Sequence, residues 1–117
     1  PACGELDVME YSTNFWGNQV FGTAHCPAGY GGNPVATNGS PVYNVDTEWH
    51  TYAIDWQSSY IKWYIDGRCL LTYTNPDGTF NTDFYILMNV AVGGTLGGDW
   101  SSLKTGTMEV DYVRIYN

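Results

Sequence analysis

Three acidic residues near the amino end, Glu5, Asp7 and Glu10, stand in the otherwise apolar run Gly4-Glu5-Leu6-Asp7-Val8-Met9-Glu10. On a β-strand successive side chains alternate between faces, so Glu5 and Asp7, two positions apart, project from the same side. Glu10 has the wrong parity for that side in a regular strand. One extra residue near Val8 and Met9, a β-bulge, turns it back and leaves Leu6, with one or both of Val8 and Met9, facing a core. Three carboxylates on one face repel one another: at least one is driven towards its protonated form, while a proton-sharing neighbour keeps another ionised. This suits displacement at the anomeric carbon of a sugar. One carboxylate attacks, a protonated one gives its proton to the leaving oxygen, and the two stand roughly 5 to 5.5 Å apart when configuration is retained. Asp7, between them, holds and tunes the attacking group. The plainer alternative is a solvated acidic strand edge. Chemistry is favoured by the setting, with 14% charged and 16% aromatic residues, because sugar rings have apolar faces that stack on Trp and Tyr.

The elements that must position these groups read as strands. The chain has 117 residues, the size of one small domain, taken as residues 1–117. Its 12 acidic and 4 basic residues give a net charge of −8, which argues against nucleic acid or an anionic membrane as a partner. No apolar run approaches the roughly 18 residues of a membrane-spanning helix, and the 44% hydrophobic content excludes a disordered chain. Gly or Pro interrupts nearly every window long enough for a helix. Tyr52, Ile54 and Trp56 alternate with Ala53 and Asp55, and Ile61, Trp63 and Ile65 with Lys62, Tyr64 and Asp66, a period of two. Asp66-Gly67 then leads into residues 69–73, the signal of a type I′ hairpin. Residues 5–10 and 20–25 read as further strands. Residues 84–92 and 108–116 are apolar on both parities and read as strands covered on both sides. About seven strands result, joined by turn-rich segments at 27–41 and 93–98, the pattern of an antiparallel β-sandwich. The Gly-rich run at 93–98 lacks the Lys-Ser/Thr of a phosphate loop and reads as a loop at a sheet edge.

Cys3, Cys26 and Cys69 allow one disulfide and one free thiol, without the CxxC spacing of a zinc site. Few Lys with many Tyr, Trp, Gly and Asn suggest a secreted, extracellular protein.

The segment PACGELDVMEY, residues 1–11, resembles the active-site signature of glycoside hydrolase family 16, Glu-hydrophobic-Asp-x-x-Glu preceded by Gly. In the family's order follow GTAHCP (22–27), EWHTYAIDW (48–56), IKWYIDG (61–67), FYILMNVAVGG (84–94) and MEVDYVRIY (108–116). The two-residue spacer resembles the laminarinase-like branch, endo-1,3-β-glucanases. The resemblance implies an all-β jelly-roll sandwich of the concanavalin type and retaining hydrolysis of internal β-1,3 linkages in a β-glucan. Glu5 falls at the nucleophile, Asp7 at the assisting carboxylate and Glu10 at the general acid/base. His25 falls beside the cleft or is a satisfied sheet histidine. Asn89 either faces the cleft or pairs with backbone. Trp16 and Trp100 are stacking platforms or plain packing. The chemistry requires no cofactor, and Asp111 falls where relatives bind a structural calcium.

Relatives carry a long segment before the signature, so the chain resembles the carboxyl-terminal half of such a domain. That leaves open a second chain supplying the amino-terminal strands, and the alternative of a glucan-binding module or an inactive fragment. Laminarin, mixed-linkage glucan, agarose and carrageenan are all cut by relatives with this carboxylate set.

Overall fold

The computed structural model describes residues 1–117 except 13–16, 18, 76, 100, 102–104 and 117. Its described strands form two three-stranded antiparallel sheets. The first holds β1 (Glu5–Tyr11), β2 (Gln19–His25) and β3 (Ala36–Pro41), and the second β4 (Tyr52–Trp56), β5 (Tyr60–Ile65) and β6 (Arg68–Thr74). Each sheet is a meander with its middle strand, β2 or β5, paired on both edges. In β5, Ile61, Trp63 and Ile65 are buried while Tyr60, Lys62 and Tyr64 are only partly so, the alternation the sequence predicts. Asp66 and Gly67 both take positive φ, 50° and 77°, and Ile65 pairs with Arg68, so the two-residue hairpin turn forms as expected.

The inner faces of the sheets meet in one layer. Ala24 and Cys26 of the first sheet's side pack with Ile61, Trp63 and Phe80, with Leu6, Ile54 and Leu70 around them. Val20, Val42 and Ile65 form a second cluster that Met9, Tyr11 and Tyr52 border. Leu6 and Met9 therefore point inward, opposite to the acidic groups. Lateral hydrogen bonds tie β3 to β6: Asn38 Nδ2 donates to the Leu70 carbonyl at 2.7 Å, and Arg68 donates to Ser40 Oγ.

Two expectations need correction. Residues 84–92 and 108–116 form no strand. A strand exists only where a neighbour accepts its backbone hydrogen bonds, and neither segment has a ladder partner among the described residues. Their apolar side chains face solvent instead: Leu87 is 75% and Ile115 76% exposed. Conversely, β3 arises inside the segment read as turns. It is a polar edge strand, containing Gly39 and ending in Pro41, and edges tolerate both residues. The three cysteines are all free, Cys26 buried and Cys3 and Cys69 exposed, so the one permitted disulfide is not formed.

Candidate functional site

The acidic face is built by an irregularity in the pairing of β1 with β2. Glu5 pairs with His25 and Asp7 with Thr23, but Glu10 pairs with Phe21, so three steps on β1 oppose two on β2. The extra residue is the bulge that the parity argument requires, and it returns Glu10 to the side of Asp7. Thr23, directly across from Asp7, donates from its hydroxyl to Glu10 Oε2 at 2.9 Å. His25, across from Glu5, brings Nε2 to 3.4 Å from Asp7 Oδ2. Glu5 is exposed, and Asp7, Glu10 and His25 are half-buried.

The opposite sheet pins this irregularity. Trp63, fully buried on β5, donates its indole N–H to the Asp7 carbonyl at 2.9 Å. Its ring lies so close to Gly22 that a Cβ there would come within 2.5 Å of it. Gly22 is the residue facing the bulge, between Thr23 and Phe21. A glycine inside a strand commonly marks such a close approach. Beyond the bulge, Ser12 Oγ donates to the Leu96 carbonyl at 2.7 Å, anchoring the end of β1 to the one-turn helix α1 (Gly94–Gly97).

The electrostatics follow from the crowding. Asp7 is pushed up from 3.8 to about 7, first by burial, then by the charges of Glu10 and Glu5 and a hydrogen bond towards Glu5. A protonated Asp7 can donate to the Glu5 carboxylate. Among the described residues, Asp7 Oδ2 and His25 Nδ1 are buried without a hydrogen-bond partner, as are His50 Nε2 and Asn75 Oδ1, and such groups are uncommon in folded proteins. One ligand atom each from Asp7, Glu10 and His25 fall within 4.8 Å of one another. The other His–Asp pair does structural duty: His50 Nδ1 lies 2.8 Å from Asp66 Oδ2, and Asp66 Oδ1 accepts from the Thr51 N–H at 2.9 Å. It clamps the start of β4 to the β5–β6 turn. The bond from Asp66 raises His50, and the Thr51 N–H, ahead of His50, lowers Asp66.

The remaining candidates are not gathered here. Asn89 is exposed on segment 84–92, which forms no strand, so the buried amide is not realised. Asp111 is exposed and, among the described residues, joins no group of three His, Cys, Asp or Glu ligands. Trp16 and Trp100 lie outside the described residues. Sequence reasoning missed Thr23, its neighbour Thr37, Trp63 and Gly22. Only Gly22, a glycine in the middle of a strand, carried a readable signal.

Residues 1–114 match the family described as glycosyl hydrolases family 16. The chain belongs to this family. It is 35% identical to glucan endo-1,3-beta-glucosidase A1 of Niallia circulans, over 98% of this chain and 19% of that protein. It is 32% identical to a beta-glucanase of Rhodothermus marinus, over 99% of this chain and 45% of that protein. The chain thus spans less than half of either relative. Among solved structures, a LamA variant from Z. galactanivorans in complex with laminaritriose and laminaritetraose superposes with a TM-score of 0.73 at 28% identity, over 85% of this chain and 40% of that one. The sandwich of antiparallel sheets is therefore the family 16 jelly roll.

Proposed function

We propose that this chain carries the catalytic strand of a retaining endo-β-glucanase that cuts internal β-1,3 linkages of laminarin-type glucans outside the cell. The observation that carries the reading is the Thr23 hydroxyl, which faces Asp7 across the ladder and yet bonds Glu10. Because of the bulge Glu10 shares the face of Glu5 and Asp7, as a mechanism with two carboxylates, Glu5 and Glu10, on one bond demands. Glu5 attacks C1 while Glu10 protonates the leaving oxygen. Water then attacks C1, gives its proton to Glu10 and releases Glu5. Asp7, its carboxyl pushed up to about 7, donates to the Glu5 carboxylate in its protonated form and steadies it. His25, beside Asp7, is a contact for the sugar next to the cleaved bond. No cofactor takes part in these steps. The linkage is supported by the 1,3-glucosidase relative and by the laminari-oligosaccharides bound to the structural neighbour.

A second reading is favoured by the bare segments 84–92 and 108–116 and by the chain's partial span of its relatives. In it, the isolated chain binds glucan without turnover, and further strands, from the same protein or a second chain, complete the cleft along those segments. Reducing-end release from laminarin, measured beside retention on insoluble glucan, decides between the two. The first reading expects release, its abolition in Glu5→Gln, and retained binding in that variant. Binding without release by the unsubstituted chain supports the second. Full release by Glu5→Gln shows that Glu5 is not the nucleophile.

A further inference from the structure

Thr23 is buried, with 4% of its surface exposed, in the middle strand of the acidic sheet. Its Oγ lies 2.9 Å from Glu10 Oε2 as donor and 3.2 Å from Thr37 Oγ. A hydroxyl has one proton to give and two lone pairs to receive. With the Thr23 proton committed to Glu10, the contact with Thr37 has one direction: Thr37 donates to Thr23. The register explains the chain of bonds, because Asp7, Thr23 and Thr37 are successive cross-strand partners on β1, β2 and β3.

From this directed pair we infer that Thr23 is a positioning residue that makes the two oxygens of Glu10 inequivalent. Oε2 is held as an acceptor, so Oε1 is the atom that carries the acid proton. The inference rests on the retaining reading above. In the first step the C1–oxygen bond to the leaving sugar breaks, Glu5 bonds to C1, and the Oε1 proton passes to the leaving oxygen. In the second, water bonds to C1, its proton goes to Oε1, and the bond to Glu5 breaks. Oε2 keeps its bond to Thr23 throughout, and the carboxyl does not rotate between the two steps. Hydrogen bonds in series polarise one another, so Thr37 strengthens the hold from the outer strand.

The test compares Thr23→Val, Thr23→Ser and Thr37→Val in the full chain. Two substrates are used: laminarin, whose sugar leaving group needs a proton, and 2,4-dinitrophenyl β-laminaribioside, whose leaving group does not. Misplacing an acid by about an ångström lowers rates by up to about 100-fold. Thr23→Val should therefore lose about 10- to 100-fold in kcat on laminarin with KM little changed. Bond cleavage in the aryl glycoside should hold within about 2-fold, since general-acid help is not required there. Thr23→Ser should restore laminarin activity, and Thr37→Val should show a smaller loss of the same pattern. A readout free of turnover accompanies this. The Glu10 side-chain carboxyl carbon-13 resonance should move in Thr23→Val and stay in place in Thr23→Ser. Equal losses on both substrates, or no loss on either, overturn the proposal. So does an unmoved Glu10 resonance, even if the chain turns over neither substrate. Full activity of Glu5→Gln would instead overturn the retaining reading, leaving the resonance to judge Thr23 on its own.

Discussion

Asp7 sits between two other carboxylates, and burial together with their charges pushes it up from 3.8 to about 7. The native state therefore holds a proton that the unfolded chain releases at lower pH. In the window between about pH 4 and 7 the folded state binds more protons, so stability falls as pH rises through it. Asp7→Asn removes that dependence. Because part of the carboxyl meets solvent, the full shift is discounted, and the variant should be more stable at pH 8 by about 1 kcal/mol, about 4 °C in Tm. The gain should vanish near pH 4, and melting curves across the window check both. The same variant should lose on the order of 100-fold or more in turnover, since it removes the shared proton beside the nucleophile. Glu5 and Asp7 share a face by parity, and Glu10 joins them through the bulge; all three were legible because carboxylates on an apolar strand are conspicuous. Thr23 was not. A threonine is ordinary in any strand, and what sets it apart is the residue across the ladder, which one strand's sequence does not specify.

The element that makes the site is the bulge, and a buried ring on the other sheet holds it. Trp63 supplies the donor to the Asp7 carbonyl and fills the space over Gly22. Gly22→Ala places a methyl against that ring, and overpacking of this kind costs about 1–3 kcal/mol. Urea denaturation should show the loss. Under the proposed function, glucan hydrolysis should fall further than the unfolded fraction explains, because the ring cannot yield without releasing Asp7. Trp63→Phe keeps most of the apolar volume but removes the hydrogen bond to the Asp7 carbonyl, at about 0.5–1.5 kcal/mol. Strands β4, β5 and β6 were legible because they alternate or flank an Asp-Gly turn, and β1 and β2 as short runs with apolar residues. Strand β3 was not, since Thr37-Asn38-Gly39-Ser40 has the composition of a loop and is a strand only because β2 offers it an edge. The opposite error, at 84–92 and 108–116, has the same origin. Sequence shows that a segment is apolar on both faces, while pairing depends on what lies beside it.

At the level of the whole molecule, the apolar surface of those two segments is the dominant feature. Tyr85, Leu87, Ile115 and Tyr116 are each at least 75% exposed, and contiguous apolar surface with open backbone invites association. The net charge of −8 opposes it, and salt screens that repulsion. Sedimentation velocity should therefore detect self-association that grows with protein concentration and with salt. The pair Leu87→Lys and Ile115→Lys should shift the population towards monomer. A chain that stays monomeric at high salt would show that these segments are shielded in solution.

The claim on which the account turns is that Glu5 attacks the anomeric carbon from a face it shares with Asp7 and Glu10. The most direct measurement is covalent trapping with 2-deoxy-2-fluoro-β-laminaribiosyl fluoride, followed by peptide mass spectrometry. The account predicts one sugar adduct on the peptide containing Glu5, lost in Glu5→Gln and formed in Glu10→Gln. An adduct on Glu10, or one that persists in Glu5→Gln, would contradict it.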